Sequence, residues 1–178
     1  HYPLRRQRQM CIRDRTNKIL DGVTKSLQSH LIENQVIDPL MIGIRTGGVW
    51  VAEYLHKNLK ISLPLASLNI SFYRDDFSKV GVNPTVEPTI MPLDVDDRHI
   101  ILVDDVLHTG RTTRAALNEI FDYGRPLSVT LVVLVERNGR ELPINAHIVG
   151  EKINLEPDKN IKLDGPQPLK LSIVNTNI

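Results

Sequence analysis

Apolar positions change period several times along this chain, and each change marks an element. In residues 17–35 they fall at Ile19, Leu20, Val23, Leu27, Leu31 and Ile32, one stripe on a helix. Asp38-Pro39 breaks that pattern, and Leu40–Ile44 is a short apolar run read as the first core strand. Helical spacing returns over 49–59. Residues 65–73 alternate, with Leu65, Ser67, Asn69 and Ser71 against Ala66, Leu68, Ile70 and Phe72, which predicts a strand with one buried face. Residues 80–88 hold Gly81, Asn83, Pro84 and Pro88 and predict a hairpin tip, after which 89–93 can return antiparallel. Ile100, Ile101, Leu102 and Val103 look like a strand buried on both faces of a parallel sheet. Residues 114–122 read as a helix ended by Tyr123-Gly124-Arg125-Pro126. Residues 128–136, 146–150 and 170–174 are further strands. The alternation of strands and helices predicts an α/β fold with an open, mainly parallel sheet flanked by helices. Ligands of such sheets sit beyond the carboxyl ends of the strands.

The first fifteen residues break the pattern. They carry five arginines against Asp14, show no apolar period and do not begin with Met. They read as a non-native or disordered basic tail, with a basic arm for RNA as the alternative, and residues 16–178 as a single domain. Without the tail, the 22 basic and 21 acidic residues become 17 and 20, a balance of −3. A generic nucleic-acid binder is thereby excluded; RNA would need a local basic patch. Cys11 is the one cysteine, so no disulfide forms within the chain and no cysteine zinc site exists. That fits a reducing cytoplasm. The longest apolar runs, such as 131–135, are too short for a membrane.

The chemistry concentrates in residues 99–113. The apolar run ends on two adjacent carboxylates, Asp104 and Asp105. Then come Val106, Leu107, His108, Thr109, Gly110, Arg111, Thr112 and Thr113, leading into the helix. Loop N–H groups and a helix N-terminus both direct positive charge at an anion. Gly110 lets the backbone approach, and Thr109, Thr112 and Thr113 add hydroxyl donors. A carboxylate pair before such a cradle suits vicinal sugar hydroxyls with a hard cation nearby. A ribose 5-phosphate is therefore the expected ligand. The plainer reading is a corner whose acids merely cap the helix, but two acids at the end of a buried strand are costly without a task. Arg45-Thr46-Gly47-Gly48, directly after the first strand, is a second anion-suited corner.

Residues 100–112 resemble the thirteen-residue PRPP-binding signature of type I phosphoribosyltransferases. They lack the Gly-Lys-Ser/Thr of a Walker A loop. Further segments resemble the PyrR family, pyrimidine operon regulators with uracil phosphoribosyltransferase activity. These are Ser71-Phe72-Tyr73-Arg74-Asp75-Asp76, Asp122-Tyr123-Gly124-Arg125-Pro126 and Arg140-Glu141-Leu142-Pro143-Ile144. Arg45-Thr46-Gly47-Gly48-Val49-Trp50-Val51-Ala52 and the tail Leu163-Asp164-Gly165-Pro166-Gln167-Pro168-Leu169 are similar to its proteobacterial branch.

The resemblance implies a type I phosphoribosyltransferase fold with a flexible hairpin and a small hood. It implies that uracil and PRPP give UMP and diphosphate with Mg²⁺ in the cytoplasm. Ile100, Ile101, Leu102, Val103, Asp104, Asp105 and Val106 would carry the PRPP site, the acids on the ribose hydroxyls. Leu107, His108, Thr109, Gly110, Arg111 and Thr112 would cradle the 5-phosphate. Arg45, Thr46 and Gly47 would hold pyrophosphate in a loop that often has a non-proline cis peptide. Tyr73, Arg74, Asp75 and Asp76 would close over the site, and Ile148 and Val149 would form the hood over uracil. Asp104, Asp105 and Arg45 would be catalytic through positioning and charge. His108 stands where the family commonly has an aromatic; packing there is favoured over proton transfer. A homo-oligomer, dimer or higher, is implied, as is binding of pyrimidine operon mRNA through Arg137 and Arg140. Gly139, Asn145 and Glu151 replace cations of the Gram-positive branch, which weakens the phosphate term of RNA affinity. The alternative readings are a UMP-sensing RNA-binding regulator with little or no turnover, and a transferase for purine or orotate.

Overall fold

A computed structural model describes residues 3–70 and 88–175, with side chains from Arg15 onward. In chain order the elements are α1 (Pro3–Glu33), β1 (Leu40–Ile44), α2 (Gly47–Leu59), β2 (Ala66–Leu68), β3 (His99–Leu107), α3 (Arg111–Tyr123), β4 (Ser128–Arg137), β5 (Ile148–Ile153), β6 (Lys159–Asp164) and β7 (Lys170–Asn175). The first five strands form one sheet in the order β2-β1-β3-β4-β5, every neighbouring pair parallel. The expected parallel α/β sheet is present. Among the described residues no helix is long and apolar enough to cross a membrane.

The sheet is covered on both faces, which is why its central strands are apolar throughout. One layer joins Leu20, Val23 and Leu27 of α1 and Val51, Ala52 and Leu55 of α2 to Ile101, Val103 and Val132. The other joins Ala115, Ala116 and Ile120 of α3 to Ile100, Leu102, Leu131 and Val133. Each fully buried side chain of this kind contributes roughly 1.5–3 kcal/mol.

Several expected boundaries shift. Helix α1 begins at Pro3 instead of residue 17, so the backbone of residues 3–16 is helical where no period was visible. Of the expected 65–73 strand, Ala66–Leu68 is strand among the described residues, while 71–73 and the hairpin tip up to 87 lie outside them; the antiparallel return at 89–93 is one bridge. There Ser67 and Ile90 exchange N–H to carbonyl bonds of 2.9 and 2.8 Å. Strand β5 runs through Gly150 instead of ending there. A Cβ on Gly150 would stand 2.5 Å from Ile19 and 2.8 Å from Val23, so this glycine lets α1 cross the strand. Strand β6 was not expected. With β7 it forms a two-stranded antiparallel unit whose Ile161, Leu163 and Leu169 join the α1–α2 layer. Its alternation rests on only two buried positions, Ile161 and Leu163, too short a signal beside Pro157 and Gly165.

Candidate functional site

Two strand–loop–helix corners stand side by side, because β1 and β3 pair directly. At the first, Arg45 and Thr46 are the whole connection between β1 and α2. The Arg45 N–H donates to the Leu68 carbonyl at 2.9 Å, tying the corner to β2. The Arg45–Thr46 peptide is cis. Thr46 makes no side-chain bond to the first turn of α2. The helix starts at Gly47, earlier than its apolar spacing predicts, because the two glycines lie against the acid pair. A Cβ on Gly47 would fall on the Asp105 carboxylate, and one on Gly48 would come within 2.6 Å of the Val103 carbonyl oxygen and 3.0 Å of Asp104 Cα. Both glycines are there for distance.

The acid pair lies within β3, not beyond its end as the sequence predicts. Asp104 is 2% exposed. The Asp105 N–H donates to Asp104 Oδ1 and the Val106 N–H to Asp105 Oδ1, each at 2.9 Å. Each carboxylate is thus fixed by the main chain of the next residue. The strand also changes phase here. Up to Val103 its side chains alternate between layers, but Val106 packs with the α1–α2 layer and Leu107 with the α3 layer.

The second loop is His108, Thr109 and Gly110. Gly110, at φ +94°, turns the chain into α3, so Arg111 and Thr112 belong to the first helical turn instead of the loop. As at the first corner, the residue before the helix makes no side-chain cap. Both helices therefore present first-turn N–H groups, the elementary form of an anion site. The Thr109 hydroxyl accepts from the Arg111 N–H at 3.2 Å. Thr113, expected to face the anion, is buried on the inner face of α3, while Thr112 stays partly exposed.

What the sequence reading missed is how this loop is held. The turn after β4 grips it from outside. Glu141 and Leu142 donate their N–H groups to the Thr109 carbonyl at 3.0 and 3.1 Å. The Arg140 guanidinium donates through Nη1 to the His108 carbonyl and through Nη2 to Glu136 Oε1 at 3.0 Å. Arg111 pairs with Glu141 at 2.7 Å. The His108 ring lies where a Cβ on Gly139 would be, 2.7 Å from its Nε2, and Gly139 itself has φ +102°. Burial, then the Arg137 charge, lower the His108 pKa from 6.5; Glu141 opposes this and Arg140 adds to it. Asn138-Gly139 is a turn signal in the sequence, but nothing in the sequence says what the turn touches.

The other expected site residues fall elsewhere. Tyr73, Arg74, Asp75 and Asp76 lie outside the described residues. Ile148 and Val149 pair with Val132 and Val133, level with Val103 and Asp104 across β4. Ile148 is buried in one layer, and Val149 packs against the other. Arg137 is only 7% exposed, its Nη1 donating to the Lys159 carbonyl at 2.9 Å and to Asn160 Oδ1 at 3.1 Å. Two expected surface cations, Arg137 and Arg140, are thus engaged within the fold.

The phosphoribosyl transferase domain model matches residues 14–166. The protein is 60% identical over 154 residues to the bifunctional protein PyrR of Nitrosococcus oceani, covering 85% of this chain and 87% of that one. It is 51% identical to the bifunctional protein PyrR of Pseudomonas savastanoi pv. phaseolicola, covering 88% and 92%. The fold is similar to the hypoxanthine phosphoribosyltransferase of Trypanosoma cruzi, with TM-score 0.67 at 16% identity over 92% of this chain and 94% of that one. With its acid pair, its two strand–loop–helix corners and this kinship, the chain belongs to the PyrR family of phosphoribosyltransferases.

Proposed function

We infer that this protein transfers the phosphoribosyl group of PRPP to uracil, forming UMP and diphosphate, and regulates genes of pyrimidine biosynthesis. One observation carries the reading: two helix starts flank a fixed carboxylate pair, the first without a side-chain cap and the second with one N–H, that of Arg111, taken by Thr109. That arrangement fits a molecule with phosphates at both ends and a sugar between.

Asp104 and Asp105 accept hydrogen bonds from the ribose hydroxyls. Leu107, His108, Thr109, Gly110, Arg111 and Thr112 surround the 5-phosphate. Arg45, Thr46 and Gly47 bind the pyrophosphate, with the Arg45 charge stabilising it as it leaves. As the bond from ribose C1 to the pyrophosphate oxygen breaks, positive charge spreads over C1 and the ring oxygen. A bond from C1 to the uracil nitrogen forms, and that nitrogen loses its proton. Catalysis is then positioning and electrostatic stabilisation instead of attack by a side chain. The base lies toward β5, near Ile148 and Val149. An edge strand keeps one row of main-chain groups outside the sheet, which suits recognition by backbone bonds.

The described residues hold no group of three His, Cys, Asp or Glu side chains placed for a metal. Paired carboxylates fit Mg²⁺, which takes one or two carboxylates and completes its shell with water and substrate oxygens. Asp104 and Asp105 would hold it with the substrate, and when bound it neutralises charge on the diphosphate. Regulation involves the leader RNA of a pyrimidine operon, with UMP tuning affinity. A homo-oligomer is part of the reading, supported by Ile32 and Ile37, large apolar residues left exposed. So is cytoplasmic residence, which suits a chain with one cysteine.

The test is a panel of free bases incubated with Mg²⁺ and PRPP, using wild type and the double variant Asp104→Asn/Asp105→Asn. UMP from uracil in wild type, reduced by roughly three orders of magnitude or more in the variant, is expected. Turnover of hypoxanthine or orotate instead would replace the base assignment. Equal UMP from both proteins would remove the acid pair from the chemistry.

A further inference from the structure

We propose that Arg140 is a positioning residue for the 5-phosphate loop, acting in PRPP binding by holding the loop's main chain, and that its charge is committed to this task before any RNA arrives. The inference rests on the loop reading above and adds to it.

Arg140 sits three residues beyond the end of β4, on the turn that folds back over the loop. Its two terminal nitrogens go to different places. Nη1 donates to the carbonyl of His108, and Nη2 to the Glu136 carboxylate, which belongs to the strand itself. One planar side chain therefore bridges the loop to the rigid sheet. Only a guanidinium offers two directed donors in this fixed fork; an ammonium can satisfy either partner but not both with the same geometry. Both groups are largely shielded from water, with side-chain exposure of 22% for Arg140 and 21% for Glu136. A pair at that depth is screened less than a surface pair.

The remaining contacts point the same way. Glu141 and Leu142, the next two residues, donate to the carbonyl of Thr109. A Cβ on Gly110 would meet Leu142, Ile144 and Arg140 Cδ at 3.4 to 3.7 Å. Gly139 leaves the space that the His108 ring fills. With the carbonyls of His108 and Thr109 held toward the turn, the loop is fixed from one side by the turn's main chain and the Arg140 guanidinium. A loop set in shape before binding loses less freedom on binding. The effect of losing Arg140 should thus appear in the PRPP term and not in the uracil term.

Steady-state kinetics of the full chain with Arg140→Ala and Arg140→Lys decide the matter, alongside thermal melting. In Arg140→Ala the KM for PRPP is expected to rise about tenfold or more, with the KM for uracil within about twofold and the melting temperature nearly unchanged. Arg140→Lys is expected to recover part of the loss, since one of the two partners can still be reached. If Arg140→Ala is insoluble, the lysine variant alone reads the same split. A PRPP KM equal to wild type in either soluble variant overturns the proposal. So does an equal rise in both KM values with a lowered melting temperature, which marks general loosening. Loss of leader-RNA affinity with unchanged PRPP kinetics would return Arg140 to an RNA role. Absence of PRPP-dependent turnover in wild type would instead sink the enzyme reading, a separate outcome.

Discussion

The two anion corners use the same device, a strand feeding a helix start through a short loop, yet they are made firm in different ways. The β1–α2 corner has a two-residue loop, and its shape comes from missing atoms. Gly47 and Gly48 allow the first turn of α2 to lie on Asp104, Asp105 and the Val103 carbonyl. The β3–α3 corner has a three-residue loop and is shaped by added contacts, the turn from Arg140 to Leu142 gripping the carbonyls of His108 and Thr109. A corner set by proximity is broken by adding an atom. A corner set by a clamp is broken by removing one. The pair therefore responds to opposite kinds of substitution.

The largest expected effect follows at the first corner. Gly47→Ala places a methyl group on the Asp105 carboxylate, so either the carboxylate turns or α2 retreats. A displacement of about 1 Å at reacting groups costs roughly a hundredfold in rate. The kcat/KM for PRPP should fall by that order, while far-ultraviolet circular dichroism stays that of wild type. An active Gly47→Ala enzyme would show that the corner tolerates an added atom, and the contrast between the corners would disappear.

Gly22 supplies the matching control, with a smaller effect of opposite sign. It lies within α1, exposed, and a Cβ there would meet no atom within 4 Å. Gly22→Ala should stabilise the protein by about 0.5–1 kcal/mol through helix propensity alone, seen as a melting temperature raised by about 1–4 °C. Activity should not change. Were Gly22→Ala to impair PRPP turnover as Gly47→Ala does, loss of a glycine as such, and not contact with Asp105, would be the cause.

The difference between the corners also explains what could be read in advance. The parallel sheet was legible because Leu40–Ile44, Ile100–Val103 and residues 128–136 are local apolar runs, and periodicity is a local signal. The acid pair and Gly110 were legible for the same reason, being consecutive along one segment. Contacts between segments were not. Gly47 was read as part of an anion loop, but its real constraint is Asp105, 58 positions away. Arg140 was assigned to RNA by the family resemblance; its bond to the His108 carbonyl, 32 positions away, emerges only once β3 and β4 pair. Strand β6 was missed because two buried residues do not make a period. Gly150 was taken for a strand end because glycine usually weakens a strand, and only the passage of α1 over it shows otherwise.

The smallest effect concerns the second corner and its pH response. His108 is partly buried among the turn's side chains, and burial first, then the Arg137 charge, depress its pKa below 6.5, against an opposing pull from Glu141. In the folded protein the ring therefore stays neutral to lower pH than in the unfolded chain. Below pH 6.5 the unfolded state takes up the proton first, so folding stability declines as pH falls through 6.5 toward the lower folded value. Because the ring is partly exposed, the change is small. Urea melts between pH 8 and 5 on wild type and His108→Gln should show it: the wild-type curve drops further across that window than the variant's. The PRPP KM of wild type should rise over the same interval, since a charged ring against Arg137 and Arg140 loosens the carbonyl that Arg140 holds. Parallel curves for the two proteins would mean that the ring over Gly139 only fills space, and that the clamp is made by Arg140, Glu141 and Leu142 without it.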